Sequence, residues 1–291
     1  MQQQKSFERE NEKGILYLVP TPIGNLEDMS FRAIRILKEA DLIAAEDTRN
    51  TKKLCNYFEI STPVASYHEH NKGASGQKIV ERVKRGEKVA VVSDAGMPTI
   101  SDPGYELVTA AIEEGVAVVP LPGANAALTA LIASGLVPQP FFFYGFLNRS
   151  KKEKRKELAI LAKQEATMIF YEAPHRLKET LSLMEEALGC RKIVLCRELT
   201  KKFEEFIRGT IPEARSWAET GETRGEFCLI VEGSGQIEEN KEDDWWEELT
   251  LAGHVEHYMN EEGLSSKDAI KKAAKDRNIN KREVYQAFHV E

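Results

Sequence analysis

Groups able to move a proton or steady an oxyanion fall at a few places in this sequence. Glu46-Asp47-Thr48-Arg49 sets two carboxyls and a guanidinium side by side, directly after the apolar run Leu42–Ala45. His68, His70 and Asn71 follow, and His175-Arg176 stand after another apolar run, Thr167–Tyr171. A carboxylate or imidazole takes a proton and a guanidinium stabilises an alkoxide, so these residue types suit general acid–base work on a hydroxyl. Asp47, Arg49 and His68 are the catalytic candidates, with the base left open among them. Each also has a plainer role: Asp47 as the cap of the next helix, Arg49 as its surface ion partner, His68 as a structural histidine.

Such groups act only where a scaffold brings them to a ligand. Three apolar runs are each followed by a loop rich in glycine and proline. Ile15–Val19 leads into Pro20-Thr21-Pro22-Ile23-Gly24-Asn25, and Lys88–Val92 into Ser93-Asp94-Ala95-Gly96-Met97-Pro98. Val116–Val119 leads into Pro120-Leu121-Pro122-Gly123-Ala124-Asn125-Ala126. Glycine lets the backbone approach a ligand and proline holds a loop in shape. Ligands of open α/β sheets bind outside the carboxyl ends of the strands, so three such loops point to one site. None is G-x-x-x-x-G-K-[ST] or a clean G-x-G-x-x-G, which leaves nucleoside triphosphates and dinucleotides without support. An adenosyl group without phosphates fits better, with Asp94 as acceptor for a ribose hydroxyl or neighbour of a cationic group. The other role for Asp94 is to cap its own turn.

The elements that must position these loops alternate short apolar runs with amphipathic stretches, the pattern of an α/β fold. Strands are predicted at Ile15–Val19, Leu42–Ala45, Lys88–Val92, Val116–Val119, Phe141–Gly145, Thr167–Tyr171, Ile193–Cys196, Phe203–Ile207 and Phe227–Val231. Helices are predicted after the N-cap Ser30, with Phe31, Ile34 and Leu37 on one face and Arg32, Arg35 and Lys38 on another, and at Gln77–Lys84, Tyr105–Glu114, Lys151–Lys163 and Arg176–Leu188. The first four strands read as a parallel sheet. Gly123–Val137 is uncharged, but fifteen residues that include Asn125, Thr129 and Ser134 fall short of the roughly 20 apolar residues of a membrane span. It reads as a buried helix, and no membrane partner is expected.

The length of 291 residues suits more than one domain. The expected division is a flexible, polar tail over 1–13 that is no signal peptide, an α/β domain over 14–122, and a second over 123–234. An acidic linker over 235–248 and a helical, helix-turn-helix-like unit over 249–291 complete it. Cys55, Cys190, Cys196 and Cys228 form no C-x-x-C pair and no zinc spacing. They read as reduced, buried thiols of a cytoplasmic protein, and no metal site is expected.

A net charge of −7 excludes non-specific polyanion binding by the chain as a whole, so a nucleic acid must meet a local basic patch. Residues 146–156 carry +5, and Arg149, Lys151, Lys152, Lys154 and Arg155 are the RNA-backbone candidates there, with Lys156 beside them. The alternative is a solvated helix face. Arg32, Arg35, Lys38, Arg49, Lys52 and Lys53 are further candidates, and residues 265–291 carry +3. The aromatic run Phe141–Phe146 reads as core.

The segment Val92-Ser93-Asp94-Ala95-Gly96-Met97-Pro98-Thr99-Ile100-Ser101-Asp102-Pro103-Gly104 resembles a signature of the RNA-directed branch of the tetrapyrrole methylase superfamily, the small-subunit ribosomal RNA methyltransferases. The resemblance covers about residues 14–291. It includes Val19-Pro20-Thr21-Pro22-Ile23-Gly24-Asn25-Leu26, Ala45-Glu46-Asp47-Thr48-Arg49, Tyr67-His68-Glu69-His70-Asn71 and Tyr171-Glu172-Ala173-Pro174-His175-Arg176. It implies two α/β domains with S-adenosylmethionine in the cleft between them, and a homodimer. The implied reaction is methylation of a cytidine ribose 2′-hydroxyl in small-subunit ribosomal RNA, free or within the assembled subunit. Carried over residue by residue, it implies cofactor contacts at Pro22, Ile23, Asp94, Ala95, Gly96, Met97, Asn125, Ala126, Tyr171, Gly225 and Glu226.

The chain departs from tetrapyrrole-acting members at two loops. It has Thr21-Pro22-Ile23-Gly24-Asn25 where they show a G-x-G-x-G-D-like run, and Ser93-Asp94-Ala95 where they show Gly-Asp-Pro. Both departures speak against a porphyrinoid substrate. Two rivals stand beside the RNA reading: carbon methylation of a porphyrinoid on the same fold, and a ligand-sensing helix-turn-helix DNA-binding regulator. Residues 238–248, with seven acids against Lys241, sit badly next to a DNA-binding element.

Overall fold

The computed structural model describes residues 1–6, 14–68, 72–221, 223–236, 246, 249–277 and 279–289. The chain forms two compact units, Met1–Gln236 and Ile237–Glu291. The first unit holds two five-stranded sheets, and its leading half alternates strand and helix. The strands are β1 (Ile15–Leu18), β2 (Leu42–Ala45), β3 (Val64–Ser66), β4 (Lys88–Val92) and β5 (Ala117–Pro120). The helices are α1 (Phe31–Glu39), α2 (Thr48–Tyr57), α3 (Lys72–Lys84) and α4 (Tyr105–Glu113). Every pairing in the order β3-β2-β4-β1-β5 is parallel. That arrangement sends all carboxyl ends, and the three loops, to one edge.

Strand β3 is an addition to the predicted set; three residues offer too short a pattern to read. Helix α1 also turns out differently. Ser30 caps it, accepting from the Ala33 N–H at 3.1 Å, but Ala33, Ile36 and Leu37 form the buried stripe. Phe31 points to water, 93% exposed. In the leading tail, expected to be flexible, the Gln4 carboxamide donates to the Val118 carbonyl and accepts from its N–H, both at 2.9 Å.

The second half contains α5 (Ala126–Ser134), β6 (Phe141–Phe146), α6 (Lys151–Leu161), β7 (Thr167–Glu172), α7 (Leu177–Leu188), β8 (Lys192–Arg197), β9 (Glu205–Thr210), α8 (Ile211–Thr220) and β10 (Phe227–Val231). Its sheet runs β6-β7-β10-β8-β9, parallel only at β6–β7. Helix α5 packs with this sheet, its Ala127, Ala130 and Leu131 lying in one cluster with Ile169, Val194 and Ile230. Helix α8 was absent from the predicted helices, although Thr210 and Glu213 form a capping box at its start. Two further expectations are corrected. Phe141, Phe142 and Phe146 are exposed, because β6 is an edge strand. Cys190 is exposed, while Cys55, Cys196 and Cys228 are buried; all four are free thiols.

In the second unit, α9 (Leu251–Glu261), α10 (Ser266–Asp276) and α11 (Lys281–His289) close on Val255, Tyr258, Ile270 and Val284. Thr250 and Ser265 cap the first two. Of the acidic stretch 238–248, all but Trp246 lies outside the described residues. Among the described residues, no helix is long and apolar enough to cross a membrane.

Candidate functional site

The first two loops are stitched together at the sheet edge. Thr21 and Gly96 exchange both backbone hydrogen bonds at 2.9 Å. The Thr21 hydroxyl donates to the Ser93 carbonyl at 3.1 Å, and the Ser93 hydroxyl to the Gly96 carbonyl at 3.1 Å. Gly96 has φ +78, and a Cβ there would press on Ile23 at 3.3 Å, so glycine keeps the two loops in register. In the third loop Asn125 caps α5, accepting from the Leu128 N–H at 2.9 Å. From the second half, Lys201 lies so close over Gly24 that a Cβ would meet its Cγ at 2.4 Å. Lys201 is held in that position within its own half by Glu198 at 3.0 Å and Glu226 at 2.8 Å.

Between the halves lies a cavity of about 550 Å³. It brings together Ile23, Asp94, Ala95, Gly96, Met97, Asn125, Ala126, Tyr171 and Glu226 from the expected cofactor set. Pro22 and Gly225 fall outside it. Pro22 lines a neighbouring cavity of about 310 Å³, and Gly225 packs on Glu198. The larger cavity also takes in Ser101, Asp102, Phe146, Leu199 and Phe227, with His175 from the motif after β7. Tyr171 is braced by Phe143 at 5.2 Å and Phe146 at 5.5 Å between ring centroids.

The catalytic candidates separate. Asp47 caps α2, accepting from the Arg49 N–H at 2.8 Å, and holds the Arg49 guanidinium at 2.8 Å. Those bonds hold its carboxyl down at about 2, so Asp47 stays ionised and is a weak proton acceptor. The plainer roles of Asp47 and Arg49 are thus both realised. His68 is half-buried just after β3 and lines neither cavity. His70 and Asn71 lie outside the described residues.

Glu46, which the sequence reading passed over as a base, stands out instead. One carboxyl oxygen, Oε2, is buried without a donor. Burial, then the carboxylates of Asp102 and Asp94, push the Glu46 carboxyl up to about 7. Asp102 shares a hydrogen bond with Glu46 and is itself raised by burial and by Asp94. Asp94 accepts from the Asp47 N–H at 3.1 Å and from the Asn50 amide at 3.4 Å, anchoring the second loop to α2. The sequence signals for Glu46 are its place at the carboxyl end of an apolar strand and its membership of the Glu46-Asp47-Thr48-Arg49 cluster. Among the described residues, no group of histidines, cysteines and acids is placed to hold a metal.

Of the basic candidates on and just before α6, Arg149, Lys151, Lys152 and Arg155 are exposed, and Arg155 pairs with Glu186 at 3.0 Å. Lys154 is corrected: it is 0% exposed. Its ammonium donates to Thr180 at 2.9 Å and pairs with Glu179 at 3.1 Å. The Thr180 hydroxyl donates to Glu172 at 2.5 Å, and Arg176 pairs with Glu172 at 3.2 Å. Lys154 cannot touch RNA from there. Its network supports Glu172 and Ala173, which line the cavity.

Residues 15–215 match the family of Tetrapyrrole (Corrin/Porphyrin) Methylases. The chain belongs to the tetrapyrrole methylase family. Among its relatives is "Ribosomal RNA small subunit methyltransferase I" of Bacillus subtilis (strain 168), 66% identical over 100% of this chain and 99% of the relative. The protein of the same name from Halalkalibacterium halodurans is 57% identical over the full length of both. Among solved structures, uroporphyrin-III C-methyltransferase from Thermus thermophilus, complexed with S-adenosyl homocysteine, superposes with a TM-score of 0.54. It is 18% identical, over 75% of this chain and 97% of that one. A cobalt precorrin-4 methyltransferase gives 0.58 at 17% identity, over 75% and 94%. These likenesses speak for the fold alone.

Methylases of this family use S-adenosylmethionine, and the cavity fits it. Asp94 and Asp102 offer carboxylates to a sulfonium and an ammonium, and the faces of Tyr171 and Phe146 suit a cation. Ile23, Met97, Leu199 and Phe227 give apolar walls for an adenine ring. The volume lies inside the ordinary range for small-ligand sites.

Proposed function

We propose that this methylase transfers the methyl group of S-adenosylmethionine to the ribose 2′-hydroxyl of a cytidine in small-subunit ribosomal RNA. The substrate reading rests on full-length likeness to the Bacillus subtilis enzyme of that name. The observation that carries the reaction type is the Glu46–Asp102 carboxyl pair, with Asp102 on the wall of the cofactor cavity. When bound, the cofactor supplies an electrophilic methyl group on sulfur. A ribose hydroxyl attacks such a carbon well only as its proton leaves, and a pair that holds its last proton up to about pH 7 accepts one near neutrality. Asp102 takes the proton at the cavity and Glu46 stabilises it from behind. Asp47 and Arg49, locked to each other, position the start of α2 and through it Asp94.

Arg149, Lys151, Lys152 and Arg155 offer an exposed cationic face for the RNA backbone. A cytoplasmic enzyme acting on the small subunit, as free RNA or assembled particle, is the setting, and a homodimer is its expected form, read by light scattering. The test of the function is transfer of labelled methyl to small subunits lacking ribose methylation, with the product mapped by nuclease digestion and mass. Label on one cytidine ribose supports the reading. Cofactor binding with no labelled RNA defeats it and turns attention to porphyrinoids.

A further inference from the structure

The second cavity, of about 310 Å³, has a chemistry unlike that of the first. One wall is a single face of α2, formed by Asn50, Lys53, Leu54 and Tyr57 at spacings i, i+3, i+4 and i+7. The residues of α2 buried in the fold are Thr51 and Cys55, with Leu54 packed at the edge of the same core, so Asn50, Lys53 and Tyr57 are the exposed part of the stripe. Tyr57 is 63% exposed and Lys53 is exposed. The opposite wall is the first loop, with Thr21, Pro22, Gly24 and Leu26, and Thr51, Ser93 and Asp94 complete the lining. Asp94 lines both cavities.

We propose that this second cavity takes the target nucleotide of the RNA, unstacked from its neighbours, with its base on Tyr57 and its ribose toward Asp94 and the cofactor cavity. The inference rests on the RNA reading above and adds the place and residues of recognition. An aromatic ring, an ammonium and a carboxamide within three helical turns are the groups that read a single-stranded nucleotide. The ring stacks on a base, the ammonium meets a phosphate, and the amide meets a base edge. Asn50 donates one amide hydrogen to Asp94 at 3.4 Å. The carboxamide keeps its acceptor and a second donor for the nucleotide. The shared carboxylate explains why two separate cavities serve one reaction, since a ribose beside Asp94 borders the methyl donor's chamber.

The test uses the full-length enzyme, small subunits lacking ribose methylation, labelled cofactor, and calorimetry of S-adenosylmethionine binding. Tyr57→Ala is expected to raise KM for the subunit roughly tenfold, the scale of base–aromatic stacking, with the cofactor Kd within twofold of wild type. Tyr57→Phe, which keeps the ring, is expected to restore it. Lys53→Ala is expected to weaken RNA binding and lower the slope of log affinity against log salt by about 0.7, the value for one single-strand phosphate. Wild-type KM and kcat in Tyr57→Ala would overturn the nucleotide site while leaving the function intact. An equal loss of cofactor affinity would overturn it too, by making the cavity part of the cofactor cleft. Failure of the RNA reading shows separately, in the wild-type enzyme, as absence of label from ribosomal RNA, and the nucleotide site then falls with it.

Discussion

Carboxyl groups leave water in both halves of the first unit, and they keep different company. Behind the cavity wall in the second half, Glu172 meets Arg176 and Thr180, and Lys154 meets Thr180 and Glu179. Every charge there has a partner of the opposite sign or a hydroxyl. At the edge of the parallel sheet, Glu46 meets Asp102 and Asp94, two more acids. Folding gains nothing from setting like charges together out of water, whereas a matched network helps fix one arrangement of α6, α7 and the loop after β7. The contrast separates a part of the molecule that holds shape from a part that holds a proton.

The sharpest way to break that contrast is to make Glu46 unable to titrate. Glu46→Gln keeps the shape and removes the carboxylate that stabilises the proton taken up by Asp102, so kcat should fall about 10²–10⁴-fold while the cofactor Kd stays within twofold. The charged groups facing Glu46 are Asp94 and Asp102, and Arg49 next along the chain is held by Asp47. Activity of the wild type should rise through about pH 7, as the pair loses its proton, and that rise should vanish in the variant. Stability should move the opposite way. A carboxyl raised by folding from 4.5 to about 7 contributes its full stabilisation below 4.5 and loses it as pH climbs through about 7. The decline in Tm across that window should therefore shrink in Glu46→Gln. A pH–rate profile identical to wild type would sink the role given to Glu46.

The matched network makes the next prediction, of stability rather than rate. Glu179→Ala leaves the fully buried Lys154 ammonium with no carboxylate and should cost about 3–5 kcal/mol in denaturant unfolding. Lys154→Met replaces the charged stem with an apolar one of similar length and should cost far less. If both substitutions cost the same, the network is ordinary packing and the contrast with Glu46 loses half its support.

The same two regions show what a sequence discloses and what it hides. The three loops were legible because glycine and proline act locally, and the parallel sheet because its strands are unbroken apolar runs. Nine of the eleven expected cofactor positions lie on the larger cavity for that reason. Glu46 was hidden because its carboxyl is raised by burial and then by Asp102 and Asp94, all of which come only with the fold. Lys154 looked like one of a row of surface cations, and only α7, supplying Glu179 and Thr180, makes it an interior residue. The aromatic run at β6 looked like core because hydrophobicity does not say whether a strand lies at an edge. Pattern reports on neighbours along the chain; the perturbed groups depend on neighbours across it.

Helix α6 carries the smallest effect and gives a control inside one element. Lys151 and Lys152 are exposed and Lys154 is buried, so a single turn separates a cation open to solvent from one committed to the fold. An exposed cation meeting one phosphate is worth about 1 kcal/mol or less at physiological salt. Lys151→Ala should accordingly weaken binding to small-subunit RNA only a few-fold. It should also lower the slope of log affinity against log salt by about 0.7, the value for one single-strand phosphate. Lys154→Met should leave that slope unchanged whatever it does to Tm. The measurement is a salt titration of RNA affinity for both variants. A slope that falls for Lys154→Met and stays put for Lys151→Ala would reverse the assignment of surface and interior on this helix.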